Sequence, residues 1–358
     1  MIIGHGGNIH TLARQLACRP EDIIDMSSNM NPLGPPPGLM DHLSARLETI
    51  FALPEADANR MKNAAADWYQ VGAERVLGGN GTTQFIYTLP RALKTKRALI
   101  LAPAYSDYAD ACRMEAVAWD DLFIRAADDF MPDITALSKT AAGYDTIFIC
   151  NPNNPTGRLI PAIELTWMCR KHPDTRFIID ESYLPFVLDG DKESLVGMAL
   201  DNVIILSSMS KIFRIPGLRV GFLIGPETVI QKLAAYAMPW SVNSLAQEAI
   251  CYLLSQPAMV RRFIESARDF VAEEKERFMA AFKDVPGIRF YPSETGFFLA
   301  ELKNMTAETV WTEMARHRLL IRNCSNFRGL SDRFIRISLK TAAENEKAAQ
   351  MLKQILRD

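Results

Sequence analysis

Four short segments that are rich in polar residues or glycine each follow a run of apolar residues, and each carries side chains that can do chemistry. They are Ala-Pro-Ala-Tyr-Ser (102–106), Asn-Pro-Asn-Asn-Pro-Thr-Gly (151–157), Asp-Glu-Ser-Tyr (180–183) and Ser-Ser-Met-Ser-Lys (207–211). In open α/β sheets, ligands bind beyond the carboxyl ends of the strands. One such segment would be an ordinary loop, but four of them predict a common site.

Lys211 is the residue on which we centre this site. Burial lowers the pKa of a lysine and makes its amine available to a carbonyl group. Arg219 follows after a tight turn, and Ser208 and Ser210 offer hydroxyl donors beside the lysine. A lysine just past a strand end explains Lys211 alone equally well, so these neighbours favour a site that binds an anion.

The segment Gly78-Gly79-Asn80-Gly81-Thr82-Thr83 is a second candidate for anion binding. Glycines let backbone N–H groups turn onto an anion, and Thr82 or Thr83 can cap a helix whose N-terminus carries partial positive charge. The segment lacks the spacing of the nucleotide-binding loops. A plain turn before a helix is the alternative interpretation.

Asp180 ends an apolar run and is therefore expected to be buried. A buried carboxylate needs a cation or hydrogen-bond donors, and a protonated pyridine nitrogen fits this requirement. The alternative is an aspartate that caps a helix. Asn154 and Tyr183 can donate towards a phenolate-like oxygen, and Tyr105 could stack on an aromatic ring or only pack.

Five short runs of apolar residues predict strands that are buried on both faces. They are Ala98–Ala102, Thr146–Cys150, Phe177–Ile179, Val203–Leu206 and Val220–Ile224. Longer stretches of helical period separate them, which is typical of an α/β domain with a mostly parallel sheet. Beyond Met238 the predicted strands alternate instead: Ile335 and Ile337 share one face, and Arg336 lies on the other.

These patterns predict three regions. An irregular N-terminal arm at residues 1–40 contains a proline-rich stretch that cannot be regular helix or strand. A large α/β domain follows at 41–240, and a smaller α+β domain at 241–358.

Composition limits the partners. The chain has 358 residues, a formal net charge of −2 and a pI near 6.3, which gives no reason to expect nucleic acid or an anionic membrane. No apolar run approaches the roughly 20 residues of a membrane span. The six cysteines have no C-x-x-C spacing and the five histidines have no ligand spacing, so we expect free thiols, no metal and a cytoplasmic location.

Together these motifs, with Gly-Leu-Arg-Val-Gly (217–221), resemble the fold-type I pyridoxal-phosphate (PLP) enzymes of aminotransferase class I and II. The resemblance implies that Lys211 is the Schiff-base lysine and that Asp180 pairs with the pyridinium nitrogen. It also implies that Asn154 and Tyr183 contact the ring hydroxyl, while Tyr105 stacks on the ring. The residues implied for the cofactor phosphate are Gly81, Thr82, Thr83, Ser208, Ser210 and Arg219.

Within this group the flanking segments resemble those of the threonine-phosphate decarboxylases, relatives of the histidinol-phosphate aminotransferases. The segments are 5–9, 25–34, 238–243 and 320–327. The resemblance implies decarboxylation of L-threonine O-3-phosphate to (R)-1-amino-2-propanol O-phosphate for the nucleotide loop of cobalamin. The implied substrate-binding residues are His5, Asn31, Asn154, Arg322 and Arg336.

Several positions depart from the pattern of the family. Leu53 stands where a tyrosine usually reaches the neighbouring subunit's cofactor, Gly296 replaces an asparagine, and Arg214 and Arg328 add positive charge. Tyr183 is more typical of the aminotransferases. Histidinol-phosphate transamination, decarboxylation of L-serine O-phosphate and a non-catalytic ligand sensor therefore stay open, and a homodimer is expected from the resemblance.

Overall fold

A computed structural model describes residues 6–357 of the chain. The helices are α1 (Ile9–Gln15), α2 (Leu39–Ala45), α3 (Asn59–Tyr69), α4 (Gly81–Leu93), α5 (Asp107–Met114), α6 (Ile134–Ala141), α7 (Ala162–Lys171), α8 (Met209–Ile212), α9 (Glu227–Ala234), α10 (Ser244–Leu254), α11 (Pro257–Ala280), α12 (Ala307–Arg316) and α13 (Ala342–Ile355). The strands are β1 (Ile24–Asp25), β2 (Val76–Gly79), β3 (Arg97–Ala102), β4 (Ala118–Phe123), β5 (Thr146–Cys150), β6 (Arg176–Asp180), β7 (Val203–Ser207), β8 (Gly221–Ile224), β9 (Ile288–Phe290), β10 (Phe297–Leu302), β11 (Leu319–Leu320), β12 (Arg322–Asn323) and β13 (Phe334–Ser338).

The large sheet of the described chain has the strand order β2-β8-β7-β6-β5-β3-β4, and only β8 runs antiparallel to its neighbours. This arrangement confirms the predicted mostly parallel α/β sheet. Strands β3, β5, β6 and β7 are adjacent and parallel, so their carboxyl ends lie at one edge. The four segments on which the sequence prediction rests follow these four strands.

Two strands of this sheet were not expected from the sequence. Gly78 and Gly79, predicted as part of a loop, belong to β2, where Gly79 pairs with Gly221 of β8. Strand β4 carries Asp120 and Asp121 in its middle. It is the edge strand beside β3, and one row of its side chains faces solvent, so it lacks the continuous apolar run of the inner strands.

The second sheet is antiparallel, with the order β12-β13-β10-β9. Ile335 and Ile337 of β13 pack into a separate apolar core together with Phe298 and Leu302. A smaller α+β unit is therefore present, as predicted.

The two cores do not divide at residue 240, where the sequence placed the boundary. Helix α10 contributes Ala249 and Ile250 to the large core. Helix α11 spans both cores, because Val260 and Val271 pack in the large one and Phe278 packs in the small one. The apolar period of these helices indicated their buried faces but not which sheet they cover.

The N-terminal arm is more regular than predicted. It contains α1 and β1, and β1 pairs in parallel with β11 of the C-terminal unit. The proline-rich stretch 29–38 has neither helix nor strand, as expected. Its Asn31 N–H donates to the carbonyl of Lys211 at 3.1 Å, which holds the arm against the site.

Among the described helices, none is long and apolar enough to cross a membrane.

A buried polar junction links α11, α13 and the end of β13. Asn345 donates to Glu274 at 2.8 Å and to the carbonyl of Lys340 at 2.9 Å, and it accepts from the Lys340 N–H at 2.7 Å.

We expect Asn345→Ala to lower the free energy of unfolding by about 1–3 kcal/mol, because it leaves buried polar groups without partners. Urea unfolding measures this. Gln350→Ala on the exposed face of α13 should change it by less than about 0.5 kcal/mol, and equal losses would contradict the junction's role.

Candidate active site

A cavity of about 450 Å³ opens where the arm, the large sheet and the C-terminal unit meet. Six of the residues predicted for the site line it: Tyr105, Asn154, Tyr183, Lys211, Arg322 and Arg336. The arm contributes Gly6 and the residues from Ser27 to Met30. The cavity therefore lies beyond the carboxyl ends of the parallel strands, where a ligand is expected in such a sheet.

Lys211 lies in the short helix α8, directly after β7. Burial, with a contribution from the positive charge of Arg219, lowers its pKa to about 8, while Asp180 acts in the opposite direction. About a tenth of the amine is therefore uncharged at pH 7, far more than for an ordinary lysine, and the uncharged amine is the nucleophile.

Asp180 ends β6 and is 6% exposed. Its carboxylate accepts from the hydroxyl of Tyr108 at 2.8 Å and from the Ser182 N–H at 3.0 Å. Both donors fix the orientation of the carboxylate, and neither neutralises it. This leaves Asp180 suited to a cationic partner such as a pyridinium nitrogen.

Tyr108 was missed by the sequence analysis. It is buried on α5, stacks on Phe148 with ring centroids 5.4 Å apart and meets Tyr105 edge-on at 5.9 Å. The sequence offered one indication of its position, the helical period of Tyr108, Ala111 and Cys112, which form part of the buried face of α5. Such a face predicts core packing and says nothing about a hydrogen bond to Asp180.

Arg336 is 5% exposed and connects three parts of the chain. Its guanidinium donates to the side-chain oxygen of Asn154 and, at 2.5 Å, to the carbonyl of Ser27. It also lies over the Phe297 ring, 5.4 Å from the centroid. Its Nε is buried without a hydrogen-bond partner, which is the kind of unsatisfied donor that a bound anion completes.

Tyr183 lies next to this arginine, edge-on to Phe297 with centroids 5.0 Å apart. Burial raises the pKa of its hydroxyl to about 12, against the opposing effect of Arg336. The phenol therefore stays protonated at neutral pH and can donate a hydrogen bond.

The N-terminus of α4 borders a narrow space, which we call the cradle, and there is no room in it for a side chain at Gly81 or Gly221. A Cβ on Gly81, whose φ is +71°, would lie 2.8 Å from a guanidinium nitrogen of Arg219, and one on Gly221 would lie 2.6 Å from the Thr82 backbone nitrogen. Backbone N–H groups at this helix end stay accessible to an anion. Together with Asp180 and Lys211, this donor set fits pyridoxal phosphate.

The hydroxyls predicted near this cradle differ in their surroundings. Thr82 and Thr83 are not caps, since Asn80 occupies the N-cap and α4 begins at Gly81. The Ser210 hydroxyl donates to the Val220 carbonyl at 2.9 Å, because the two segments pack closely, and Ser208 is buried at the start of α8.

Arg322 lines the cavity beside Phe327, and it is the cross-strand neighbour of Arg336. Burial lowers its pKa to about 10, and the nearby charge of Arg336 contributes. Its guanidinium donates to Asn326 at 2.7 Å and to the Asn323 carbonyl. His5, the other residue predicted here, lies outside the described residues.

Asn31, for which the resemblance implies substrate binding, does not line the cavity. Its side chain donates to the Ile212 carbonyl at 2.8 Å and accepts from the Leu33 N–H at 3.0 Å. Both ends of the amide are therefore used to fix the arm. Asn29 lines the cavity instead.

The departures from the family pattern fall in different surroundings. Arg328 lines the cavity, whereas Arg214 is exposed and donates to the Pro32 carbonyl at 3.3 Å. Gly296 packs against Val271, where a Cβ would lie 3.3 Å from the nearest methyl, so a larger side chain would crowd α11. Leu53 is 74% exposed.

In residues 6–357 no cluster of three metal-ligating side chains occurs.

The lowered pKa of Lys211 leads to a pH prediction. In the cofactor-free protein, covalent capture of pyridoxal, fixed by borohydride and located by mass spectrometry, should rise at Lys211 with a midpoint near pH 8, because the uncharged amine is the nucleophile. Lys340, whose pKa burial also lowers to about 8, serves as the internal control: it donates to the Ser28 carbonyl and does not line the cavity, so it should stay unlabelled. A midpoint near 10.4, the value of an ordinary lysine, would contradict the burial of Lys211.

Known proteins resemble this chain over almost its whole length. It is 31% identical to the threonine-phosphate decarboxylase of Salmonella typhimurium over 357 residues, which is 98% of this chain and 96% of that protein. The crystal structure of L-threonine-O-3-phosphate decarboxylase from Porphyromonas gingivalis matches with a TM-score of 0.81 and 31% identity over 93% of this chain and 99% of that one. The histidinol-phosphate aminotransferase of Clostridium acetobutylicum matches with a TM-score of 0.86 and 25% identity over 93% and 98% of the two chains.

The family itself follows from a match that covers most of the chain. Residues 21–352 match the family described as aminotransferase class I and II. The matched region holds the mixed sheet, the lysine after β7 and the glycine cradle at α4. The chain therefore belongs to the aminotransferase class I and II family and is a PLP-dependent enzyme with the fold-type I architecture.

Proposed function

We propose that this chain decarboxylates L-threonine O-3-phosphate and releases (R)-1-amino-2-propanol O-phosphate, an intermediate for the nucleotide loop of cobalamin. The observation that carries the proposal is the charge of the cavity. Its lining contains Arg113, Arg322, Arg328 and Arg336, with Asp110 as its only acid among the described residues. A substrate with a carboxylate at one end and a phosphate at the other matches this excess of positive charge.

The residues around Lys211 are proposed to hold the cofactor. Lys211 would bond to its aldehyde, Asp180 would pair with the ring nitrogen, and Asn154 and Tyr183 would donate to the ring hydroxyl, with Tyr105 against the ring face. The cofactor phosphate would lie at Gly81, Thr82, Thr83, Ser208, Ser210 and Arg219. Bound PLP supplies an electron sink for the electron pair of a bond broken at the substrate's α-carbon.

The chain's own residues would then decide which bond breaks. Arg336 can grip the substrate carboxylate with the donors that face the cavity, while Arg322, with His5, binds the phosphate. Two fixed ends would leave the α-carbon one orientation, in which the bond to the carboxylate rather than the bond to hydrogen would be positioned to break. After CO2 leaves, Lys211 can deliver the proton that replaces it, because its pKa of about 8 lets it hold and release a proton near neutral pH.

Transamination of histidinol phosphate is the second candidate. Two observations favour it: the TM-score of 0.86 to an aminotransferase of that name and the tyrosine at position 183. The same lysine and the same Asp180 serve both reactions. The substrate end of the cavity therefore separates them, and the cofactor end does not.

A homodimer is part of the proposal. An apolar surface patch, formed by Leu47, Ile50, Phe51, Leu53 and Trp240, is exposed, with Phe51 85% and Leu53 74% accessible. The Trp240 N–H donates to the Ala56 carbonyl at 2.9 Å, which holds the two parts of the patch together. Contiguous apolar surface of this kind is typical of a protein interface, and we assign it to a second copy of the chain.

The state of the cysteines supports a reducing compartment, and we propose the cytoplasm. All six are free thiols. Burial raises the pKa of Cys112 to about 12 and that of Cys324 to about 11, so these thiols are unreactive near neutral pH.

The function is tested by supplying the PLP-loaded enzyme with O-phospho-L-threonine and measuring CO2. We expect stoichiometric CO2 and aminopropanol phosphate without any amino acceptor, because a proton replaces the carboxyl group and the cofactor is unchanged. O-Phospho-L-serine is tested in parallel, since one methyl group contributes only about 1–3 kcal/mol to discrimination. Glutamate formed from 2-oxoglutarate and histidinol phosphate, with no CO2 from phosphothreonine, would refute the decarboxylase.

The dimer is tested by sedimentation of Phe51→Glu. We expect the variant to sediment as a monomer at concentrations where the wild type is a dimer, because the charge would be buried without a partner. Ile163→Glu, which alters an equally exposed apolar residue on α7 outside the patch, should leave the dimer intact. A dimer in both variants would exclude this patch as the interface.

A further inference from the structure

Two arginines outside the cofactor site converge on one tryptophan at the cavity. The guanidinium of Arg113 lies 5.5 Å from the centroid of the Trp119 ring, and that of Arg328 lies 5.8 Å from it. The first comes from α5 and the second from the loop that follows β12, so separate parts of the fold bring them together. Both residues line the cavity.

Each arginine is held in position by a carboxylate. Arg328 lies 2.8 Å from Asp121 of β4, and Arg113 pairs with Asp110 one turn earlier on α5. Trp119 and Asp121 are two residues apart on β4 and therefore share a face of this strand. A guanidinium has more N–H donors than one carboxylate engages, so both arginines can also donate into the cavity.

Their location is the outer part of the cavity. The side chains of Arg113 and Arg328 are 55% and 36% exposed, whereas Arg336 is 5% exposed. Arg322, which also lines the cavity, already donates to Asn326 and to the Asn323 carbonyl. A phosphate ester has more acceptor sites than one guanidinium satisfies.

We propose that Arg113 and Arg328 form an outer phosphate subsite, which binds the phosphate ester of the substrate together with Arg322 and sets the preference for phosphorylated over unphosphorylated amines. This inference rests on the proposed function insofar as the substrate is a phosphorylated amino acid. It does not depend on which bond of the substrate is broken. The carboxylate stays with Arg336, which is 5% exposed, and the phosphate ester binds towards the more exposed side of the cavity.

The other face of β4 offers a matched control. Arg97 lies 2.8 Å from Asp120 and packs over the Tyr144 ring at 4.7 Å, which is the same combination of an ion pair and an aromatic contact. This arginine does not line the cavity. Arg97→Gln therefore removes an equivalent set of contacts without touching the proposed subsite.

The test is a titration of the PLP-loaded enzyme, followed by the absorbance change of the bound cofactor when an amine binds. O-Phospho-L-threonine is compared with L-threonine for the wild type, Arg113→Gln, Arg328→Gln, the double variant and Arg97→Gln. Each subsite substitution should weaken phosphothreonine binding about tenfold and the pair about a hundredfold, since a charge-assisted hydrogen bond contributes about 1.5–3 kcal/mol. Threonine binding should change by less than about threefold, and Arg97→Gln should bind both ligands as the wild type does.

Inorganic phosphate should compete with phosphothreonine in the wild type and about a hundredfold less well in the double variant.

The ion pair with Asp121 requires one further variant. Arg328→Gln leaves a carboxylate that is 12% exposed without its partner, which could unfold the loop. Asp121→Asn with Arg328→Gln removes both partners and should show the same tenfold loss, while Arg328→Lys should recover part of the binding. In steady-state assays the loss should appear in KM, with kcat within about threefold of the wild type.

Two outcomes overturn the subsite. The first is a double variant that binds phosphothreonine as the wild type does; the second is an equal loss of phosphothreonine and threonine binding. The titration is repeated with histidinol phosphate against histidinol. If phosphothreonine yields no CO2 but either phosphorylated ligand shows the selective loss, the decarboxylase is refuted and the subsite stands. If neither phosphorylated ligand binds the wild type more tightly than its unphosphorylated counterpart, the subsite is refuted.

Discussion

The buried guanidinium of Arg336 is the contact on which the rest of the site depends. It comes from the central strand of the C-terminal sheet and donates to Asn154 of the large domain and to the Ser27 carbonyl of the arm. These three segments are far apart in sequence, and the cation satisfies acceptors on two of them. Ser338 and Lys340, which follow Arg336 in the chain, add hydrogen bonds to Asn29 at 2.5 Å and to the Ser28 carbonyl at 2.9 Å. Burying such a charge costs free energy unless it is paired, and the remaining donor on Nε supplies a reason for an anion to bind. The position of this arginine is therefore set by the fold, and its buried Nε keeps one donor without a protein partner.

The charged groups of the site fall into two sets. Beside the cavity, Asp180 is oriented by Tyr108 and Ser182, and Lys211 has a lowered pKa because it is buried near two arginines. At the substrate end, the described lining is dominated by arginine. A cationic ring nitrogen suits the first region and an anionic substrate suits the second. The proposed decarboxylation therefore rests on the second set of residues, because an aminotransferase would need the first set equally.

Most of the fold could be predicted because the inner strands are buried on both faces, and their apolar runs and polar ends are visible in the sequence. The four strands that carry Tyr105, Asn154, Asp180 and Lys211 are of this kind. Strand β4 was missed because an edge strand tolerates Asp120 and Asp121. The boundary at residue 240 was wrong because a helix such as α11 shows its buried face in its apolar period but not which core it joins.

The site could be predicted only where a residue's position follows from its own surroundings in sequence, and the roles of these residues stay predictions. The positions of Lys211 directly after β7 and of Asp180 at the buried end of β6 are predictable in this way. Asn31 and Tyr108 are not: whether an amide faces a ligand or a backbone carbonyl, and which carboxylate a buried tyrosine reaches, depend on contacts between segments that are distant in the chain. The pairing of Arg113 with Arg328 around Trp119 is of the same type, since 215 residues separate the two arginines. His5 lies outside the described residues, and its role stays a prediction.

The central claim is that the two anionic ends of the substrate are fixed so that the bond to the carboxylate breaks and a proton takes its place. The most direct measurement is the reaction of O-phospho-L-threonine in D2O, followed by NMR of both the product and the recovered substrate. We expect aminopropanol phosphate with a single deuteron on the carbon that carried the carboxylate, and recovered phosphothreonine that keeps its α-proton. Exchange of that α-proton for deuterium, with no deuterated amine formed, would show that the site breaks the C–H bond instead and would contradict the decarboxylase.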